Sequence, residues 1–128
     1  MNKKINTAFM LLIFIQGLHS VEEYLGRLYE VFFPARYLSN LVSEDIESGF
    51  IIINTGLFIF GLWCWFIPVR RNYAYARALI WLWIILEIIN GIGHPVWALI
   101  ESSYVPGVAT APLLLSICVY IVRVLKKS

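Results

Sequence analysis

The sequence predicts an all-α fold: a four-span transmembrane helical bundle with a short amphipathic interfacial helix between spans one and two. Of the 128 residues, 60% are hydrophobic and only 14% are charged, whereas soluble domains average about 45–50% apolar and about 25% charged residues. Mean hydropathy is +0.77. The apolar residues fall in four runs of about twenty, the length that an α-helix needs to cross a hydrocarbon core of about 30 Å.

The four spans are expected at residues 5–26, 49–67, 76–97 and 107–124, within one membrane domain that covers residues 1–128. Lys3 and Lys4 precede the first span, Pro68 closes the second, and residues 102–107 turn the chain before the fourth. A cleaved signal peptide is the alternative interpretation of the first run. However, no small-residue cleavage site follows that run.

A mixed segment of apolar and charged residues separates the first two spans. In it, Leu38, Leu41, Val42 and Ile46 recur at helical spacing. This spacing predicts a short amphipathic helix that lies in the membrane interface.

The basic residues are distributed unequally between the loops. Eight of the ten lie at the N-terminus, in the second loop and at the C-terminus, whereas Arg27 and Arg36 lie on the other side. By the positive-inside rule both termini are cytoplasmic, and we expect a multi-pass protein of a bacterial inner membrane. The net charge of +2 is too small to suggest a nucleic-acid partner, there is no basic run interleaved with aromatics, and we therefore expect no nucleic-acid partner.

Ionisable residues inside the spans are the strongest indication of function, because such groups are costly in a bilayer. His19, Glu22 and Glu23 lie near the outer end of the first span, and Glu87 and His94 lie on the third. At 100° per residue the two glutamates straddle His19, and Glu87 and His94 share one stripe. Both sets are therefore expected to face the interior of the bundle at overlapping depth.

These residues have the composition of a metal site, since imidazoles and carboxylates suit Zn, Fe and Mn. The predicted ligands of a divalent metal are His19, Glu22, Glu23, Glu87 and His94. Glu22, Glu23 and Glu87 are also the candidate catalytic groups, with the carboxylate that does not bind metal acting as general base. Asn54 and Asn90 are candidates for contacting the cofactor. Asn54, Thr55, Asn90 and Thr110 are equally consistent with interhelical hydrogen bonds.

The sequence therefore predicts a metal-dependent enzyme, of hydrolase or oxidoreductase type, acting on a membrane lipid or other apolar small molecule through a site in the outer half of the bilayer. Two alternatives stay open. One is a metal-free acid/base isomerase of a sterol- or isoprenoid-like substrate. The other is a protein that handles protons or cations. A homodimer is compatible with so small a bundle, although no motif specifies it.

Three segments together resemble the HXXEE-domain family of small integral membrane proteins. They are His19-Ser20-Val21-Glu22-Glu23, residues 90–94, and Tyr104-Val105-Pro106-Gly107. The resemblance covers nearly the whole chain. It implies that these residues form a common polar core, but the family has no assigned activity, so the resemblance supplies no reaction.

Overall fold

The structure, a computed structural model, describes residues 2–127, and the regular secondary structure in that range is helical, with no strand. The predicted all-α class is confirmed. Six α-helices are present in the described range: α1 (Lys3–Leu25), α2 (Leu28–Val31), α3 (Phe33–Val42), α4 (Ile46–Cys64), α5 (Ala76–Glu101) and α6 (Ala111–Lys127).

Among the described residues, three helices are long and apolar enough to cross a membrane: α1, α4 with its extension to Val69, and α5. The prediction of four such spans is corrected here. The fourth helix begins at Ala111 rather than at residue 107, because residues 106–110 form turns in which Gly107 has a φ of +98°. At 17 residues, α6 is about 26 Å long, shorter than the roughly 30 Å core.

Pro68 does not close the second span as predicted. Instead α4 continues as one π-helical turn, Trp65–Val69, with Pro68 inside it. The Arg70 N–H donates to the Trp65 carbonyl at 3.0 Å, and the Tyr73 N–H donates to the Pro68 carbonyl at 2.9 Å. A proline ring crowds the carbonyl four residues before it in an α-helix, and the wider π-turn replaces that turn.

A helix occupies the segment in which the amphipathic helix is predicted. Ser39 is the buried residue of α3, and it packs so closely on α4 that a Cβ at Gly49 would overlap the Ser39 carbonyl. Leu38, Leu41 and Val42 point away from the protein and are exposed. These three apolar side chains of α3 therefore remain about half exposed or more beside the bundle.

The interior of the bundle is sorted by polarity along its length. α6 packs against both α1 and α5, and α4 packs against α1. The half nearest Lys3 and Lys127 has a buried apolar core that includes Ile5, Phe9, Leu12, Ile80, Trp83, Cys118 and Ile121. The buried polar side chains of the same helices lie from mid-bundle to the opposite end: Gln16, His19, Glu23, Glu87, His94 and Thr110. This sorting places the candidate site at one end of the molecule.

Candidate metal centre

Two histidines and one glutamate from two helices meet at the polar end of the bundle. Glu23 lies one turn after His19 on α1, and its Oε2 is 3.5 Å from His19 Nε2. The same oxygen is 3.3 Å from Nε2 of His94 on α5. The two imidazoles are nearly perpendicular, with centroids 4.8 Å apart. His19 is fully buried, and Glu23 and His94 are 7% and 8% exposed.

The geometry of His19, Glu23 and His94 fits a divalent metal ion. One ligand atom from each residue lies within 4.8 Å of the other two. Tetrahedral bonds of about 2.1 Å to nitrogen and oxygen put neighbouring ligand atoms about 3.4 Å apart, close to the 3.5 and 3.3 Å separations. His19 Nε2, the nitrogen that faces Glu23, is buried without a hydrogen-bond partner, which is rare for such an atom.

Glu22 lies outside this group, although it is adjacent to Glu23 in sequence. Its Oε1 accepts from the Thr110 N–H at 2.9 Å and from the Thr110 hydroxyl at 2.6 Å. Its Oε2 accepts from the Ala109 N–H at 3.0 Å and from the Tyr104 hydroxyl at 2.7 Å. Because all four partners are donors, the carboxyl group of Glu22 is ionised.

Thr110 connects Glu22 to His19 and thereby fixes the tautomer of the imidazole. The Thr110 hydroxyl has one proton, which it donates to Glu22. Its oxygen is 2.6 Å from His19 Nδ1, so Nδ1 must be the donor in that contact. The lone pair of His19 is consequently on Nε2, which faces Glu23. Carboxylate-linked hydrogen bonds of this kind orient the histidine ligands of metal sites.

The turn that precedes α6 covers both imidazoles. A Cβ on Gly107 would lie 2.5 Å from His94 Cε1 and 2.9 Å from His19 Cε1, so this position requires glycine for space as well as for its positive φ. In the same turn, partial desolvation of Tyr104 and its bond to Glu22 raise the pKa of the phenol to about 12. Tyr104 therefore stays a donor to Glu22 at neutral pH.

A second polar network joins α4 to α1 beside this group. Asn54 Nδ2 donates to the Phe50 carbonyl at 3.0 Å, which leaves Asn54 Oδ1 to accept from the Ser20 hydroxyl at 2.9 Å. Having given its proton to Asn54, Ser20 must accept from Gln16 Nε2, which is 3.0 Å away. The backbone carbonyl of Phe50 thus fixes the direction of each hydrogen bond.

That direction assigns a proton to Glu87. With Gln16 Nε2 on Ser20, the amide oxygen of Gln16 faces the Glu87 oxygens at 2.9 and 2.6 Å. Two acceptors cannot form a hydrogen bond, so Glu87 donates as a neutral carboxylic acid. If the Gln16 amide is reversed, its nitrogen donates to Glu87, but the single Ser20 proton cannot then serve both Gln16 and Asn54. Asn90 Nδ2 is 3.4 Å from Glu87 Oε1, which can accept from it.

The structure therefore brings together three of the five predicted ligands, His19, Glu23 and His94. Glu22 is connected to His19 through two hydrogen bonds by way of Thr110, and Glu87 belongs to the network that includes Asn54 and Asn90.

Sequence reasoning did not place three residues that matter here, Gln16, Thr110 and Tyr104, among the site residues. Gln16 lies three residues before His19 on the same helical face, and that spacing could have identified it. Thr110 was assigned equally to interhelical hydrogen bonding. Tyr104 contacts a residue 82 positions away, and no local pattern encodes such a contact.

The comparisons with known proteins give a single family. Residues 10–121 match the family described as proteins of unknown function with an HXXEE motif. No curated protein matches the chain, and no solved structure matches it. The matched region includes His19, Glu22, Glu23, Glu87 and His94, and also the turn that holds Thr110. The chain belongs to the HXXEE family.

Proposed function

We propose that this protein is a membrane-embedded, metal-dependent enzyme, of hydrolase or oxidoreductase type, that acts on a lipid or other apolar substrate. His19, Glu23 and His94 would hold one divalent ion, Zn²⁺ or an Fe or Mn ion. The observation that carries the proposal is the position of Glu23 Oε2, which lies 3.5 and 3.3 Å from the two histidine nitrogens. The lone pair on His19 Nε2 and the Glu23 carboxylate would repel each other in this buried position, and a cation bound between them would remove that repulsion.

Three protein ligands are typical of a catalytic site, because they leave a coordination position open for water or substrate. When bound, such an ion polarises a substrate oxygen or activates water. The protein supports that chemistry in two ways. Glu22 and Thr110 orient His19, and Gly107 shields both imidazoles from solvent. Glu87, as a neutral acid, is a candidate proton donor on the same side of the bundle.

The surroundings of the site favour an apolar substrate. Near the polar end, Leu25, Leu99 and Ile100 are 73%, 80% and 75% exposed, so this end of the molecule presents apolar side chains to its surroundings. A groove of about 570 Å³ between α1 and α4 includes Leu18 and Val21 in its lining. It lies on the opposite face of α1 from His19, so it does not lead to the proposed site.

The proposed site faces the outer half of a bacterial inner membrane, with both termini in the cytoplasm. Two contacts support a fourth membrane crossing by α6 despite its length. Thr110, just before its first turn, touches His19, and the carbonyl of Leu125 near its end accepts from Arg77 at 3.3 Å. α6 therefore extends from His19 of α1, near the candidate site, to the start of α5 at the opposite end of the bundle. The exposed apolar face of α3 is placed in the outer interface.

The metal-free isomerase is the second candidate, because a proton shared among His19, Glu23 and His94 also accounts for the two short separations. Proton or cation transport is less well supported. A relay requires polar groups through the whole bundle, and the fully buried polar side chains of the described residues extend no further toward Lys3 than Gln16 and Glu87.

Loading with Co²⁺ separates the two candidates. We expect the full-length protein in detergent to bind one Co²⁺ and to show the visible absorption of a tetrahedral site, and Glu23→Gln to lack it. Absence of that spectrum in the wild type would favour the isomerase. For the reaction itself, vesicles of bacterial lipid extract containing wild-type protein or Glu23→Gln are compared by mass spectrometry. A product formed only with the wild type is expected, and identical lipid profiles would contradict an enzyme acting on these lipids.

A further inference from the structure

Opposite charges are segregated to the two ends of the molecule. Eight of the ten basic residues lie at the end that contains Lys4 and Lys127. Seven of the eight acidic residues lie toward the other end or in its loops, and the eighth, Glu87, is near the middle of α5. Among the side chains of residues 2–127, the cations of the basic end therefore have no carboxylate at the same end to neutralise them.

Three of these cations share one pocket. Lys4 from the first turn of α1 and Arg123 and Lys127 from the last turns of α6 line a cavity of about 370 Å³, together with Tyr120. Among residues 2–127, no ion pair involves Lys4, Arg123 or Lys127. The ends of the chain thus converge to place three unpaired cations and a phenol around one space.

The pocket opens onto an apolar seam between α1 and α6. Leu11 lies two turns after Lys4 on the same face of α1 and is 44% exposed. On α6, Tyr120 lies seven residues before Lys127 and is 44% exposed, and Leu113 continues that stripe at 49%. A ligand that fills the pocket would therefore have apolar side chains beneath it, along the direction of the helices.

We propose that this pocket binds the headgroup of an anionic phospholipid. The phosphate would contact Lys4, Arg123 and Lys127, and one acyl chain would lie along Leu11, Tyr120 and Leu113. Basic pockets between membrane helices on the cytoplasmic side are suited to anionic headgroups. A soluble phosphate compound would use the cations but not the apolar seam.

Lipid retention measured by native mass spectrometry tests the proposal. The full chain in detergent is mixed with phosphatidylglycerol and phosphatidylcholine of identical acyl chains. We expect the wild type to retain one phosphatidylglycerol in preference to phosphatidylcholine. Since each cation near an anionic surface contributes on the order of fivefold in affinity, the triple variant Lys4→Gln/Arg123→Gln/Lys127→Gln should lower that preference on the order of 100-fold.

The matched control removes the same charge from the same end but outside the pocket: Lys3→Gln/Arg71→Gln/Lys126→Gln. We expect it to keep the preference. An equal loss in both variants would show attraction by diffuse charge and would overturn the proposal. Displacement of the lipid by millimolar glycerol phosphate would also overturn it, in favour of a soluble ligand. The single variant Arg123→Gln, with an expected loss of about fivefold, provides the test if the triple variant does not fold.

Discussion

Glu22 and Glu23 show how two neighbouring carboxylates take different roles. Glu23 faces the two histidines, whereas Glu22 accepts four hydrogen bonds from the turn before α6. From α-helical geometry the two flank His19 almost symmetrically, so the sequence could not distinguish them. The difference comes from residues 104–110, which are more than 80 positions away along the chain.

This difference predicts unequal effects of two isosteric substitutions. Glu22→Gln places an amide nitrogen against donors and disturbs the support of His19, so metal affinity should fall roughly 10–100-fold. Glu23→Gln removes a ligand, and the loss should be larger. Isothermal titration of the purified apoprotein with Zn²⁺ measures both variants. Equal losses, or a larger loss in Glu22→Gln, would contradict the assignment.

Thr110 provides a second test at the level of single residues. Thr110→Val keeps the shape of the side chain but removes the acceptor for His19 Nδ1, and metal affinity should fall roughly 10–100-fold. Thr110→Ser retains the hydroxyl and is the matched control, with an affinity near that of the wild type. If the valine variant binds metal as tightly as the serine variant, the hydroxyl does not orient the imidazole.

The proton assigned to Glu87 predicts that Glu87→Gln is well tolerated. Its amide nitrogen can donate to Gln16 and its oxygen can accept from Asn90, as the neutral acid does. Glu87→Ala leaves Gln16 without its donor and should lower the free energy of unfolding by about 1–3 kcal/mol. Denaturation in detergent compares the two variants.

Infrared difference spectra of the same proteins supply a direct check. The wild type should show a protonated carboxylic acid band at neutral pH that Glu87→Gln lacks. A glutamine variant as unstable as the alanine variant would mean that Glu87 is ionised.

At the scale of helices, the sequence predicted the helix ends closely where hydropathy alone determines them and less closely where turns determine them. The first and third spans agree with α1 and α5 to within a few residues at each end. The second helix of the predicted spans, α4, continues past Pro68 because a π-turn accommodates the proline ring. The fourth long helix, α6, begins four residues later than predicted, at Ala111. Pro106 and Gly107 lie in turns whose conformation is set by packing on the end of α1 and on the two imidazoles. Such contacts between distant segments are not encoded in hydropathy.

The proposed crossing of the membrane by α6 can be tested by labelling its two ends. Ser103→Cys lies in the turn that precedes the helix, and Lys127→Cys lies at its end. We expect an impermeant thiol reagent to label Ser103→Cys only from outside intact cells and Lys127→Cys only after permeabilisation. Cys64 and Cys118 are buried, so the wild type measures background labelling. Labelling of both ends from the same side would show that α6 does not cross.

At the scale of the whole molecule, the residue types of the candidate site could be predicted from the sequence, whereas the subset of those residues that meet in one place could not. The cost of burying charge indicated that His19, the two adjacent glutamates, Glu87 and His94 face inward. Which of them meet depends on how α1 and α5 rotate against each other, and α6 sets that rotation by packing against both. The result is a molecule with an apolar core and cations at one end and a His/Glu group at the other.

The central claim is that His19, Glu23 and His94 form one metal site, and the coupling between the two histidines tests it most directly. Metal affinity is measured for full-length wild type, His19→Ala, His94→Ala and the double variant, all purified without chelator. Because the ligands of one ion act as a unit, we expect one ion per chain in the wild type, similar losses in the two single variants, and little further loss in the double variant. Small and additive losses, or a wild type with no more metal than the double variant, would contradict the claim.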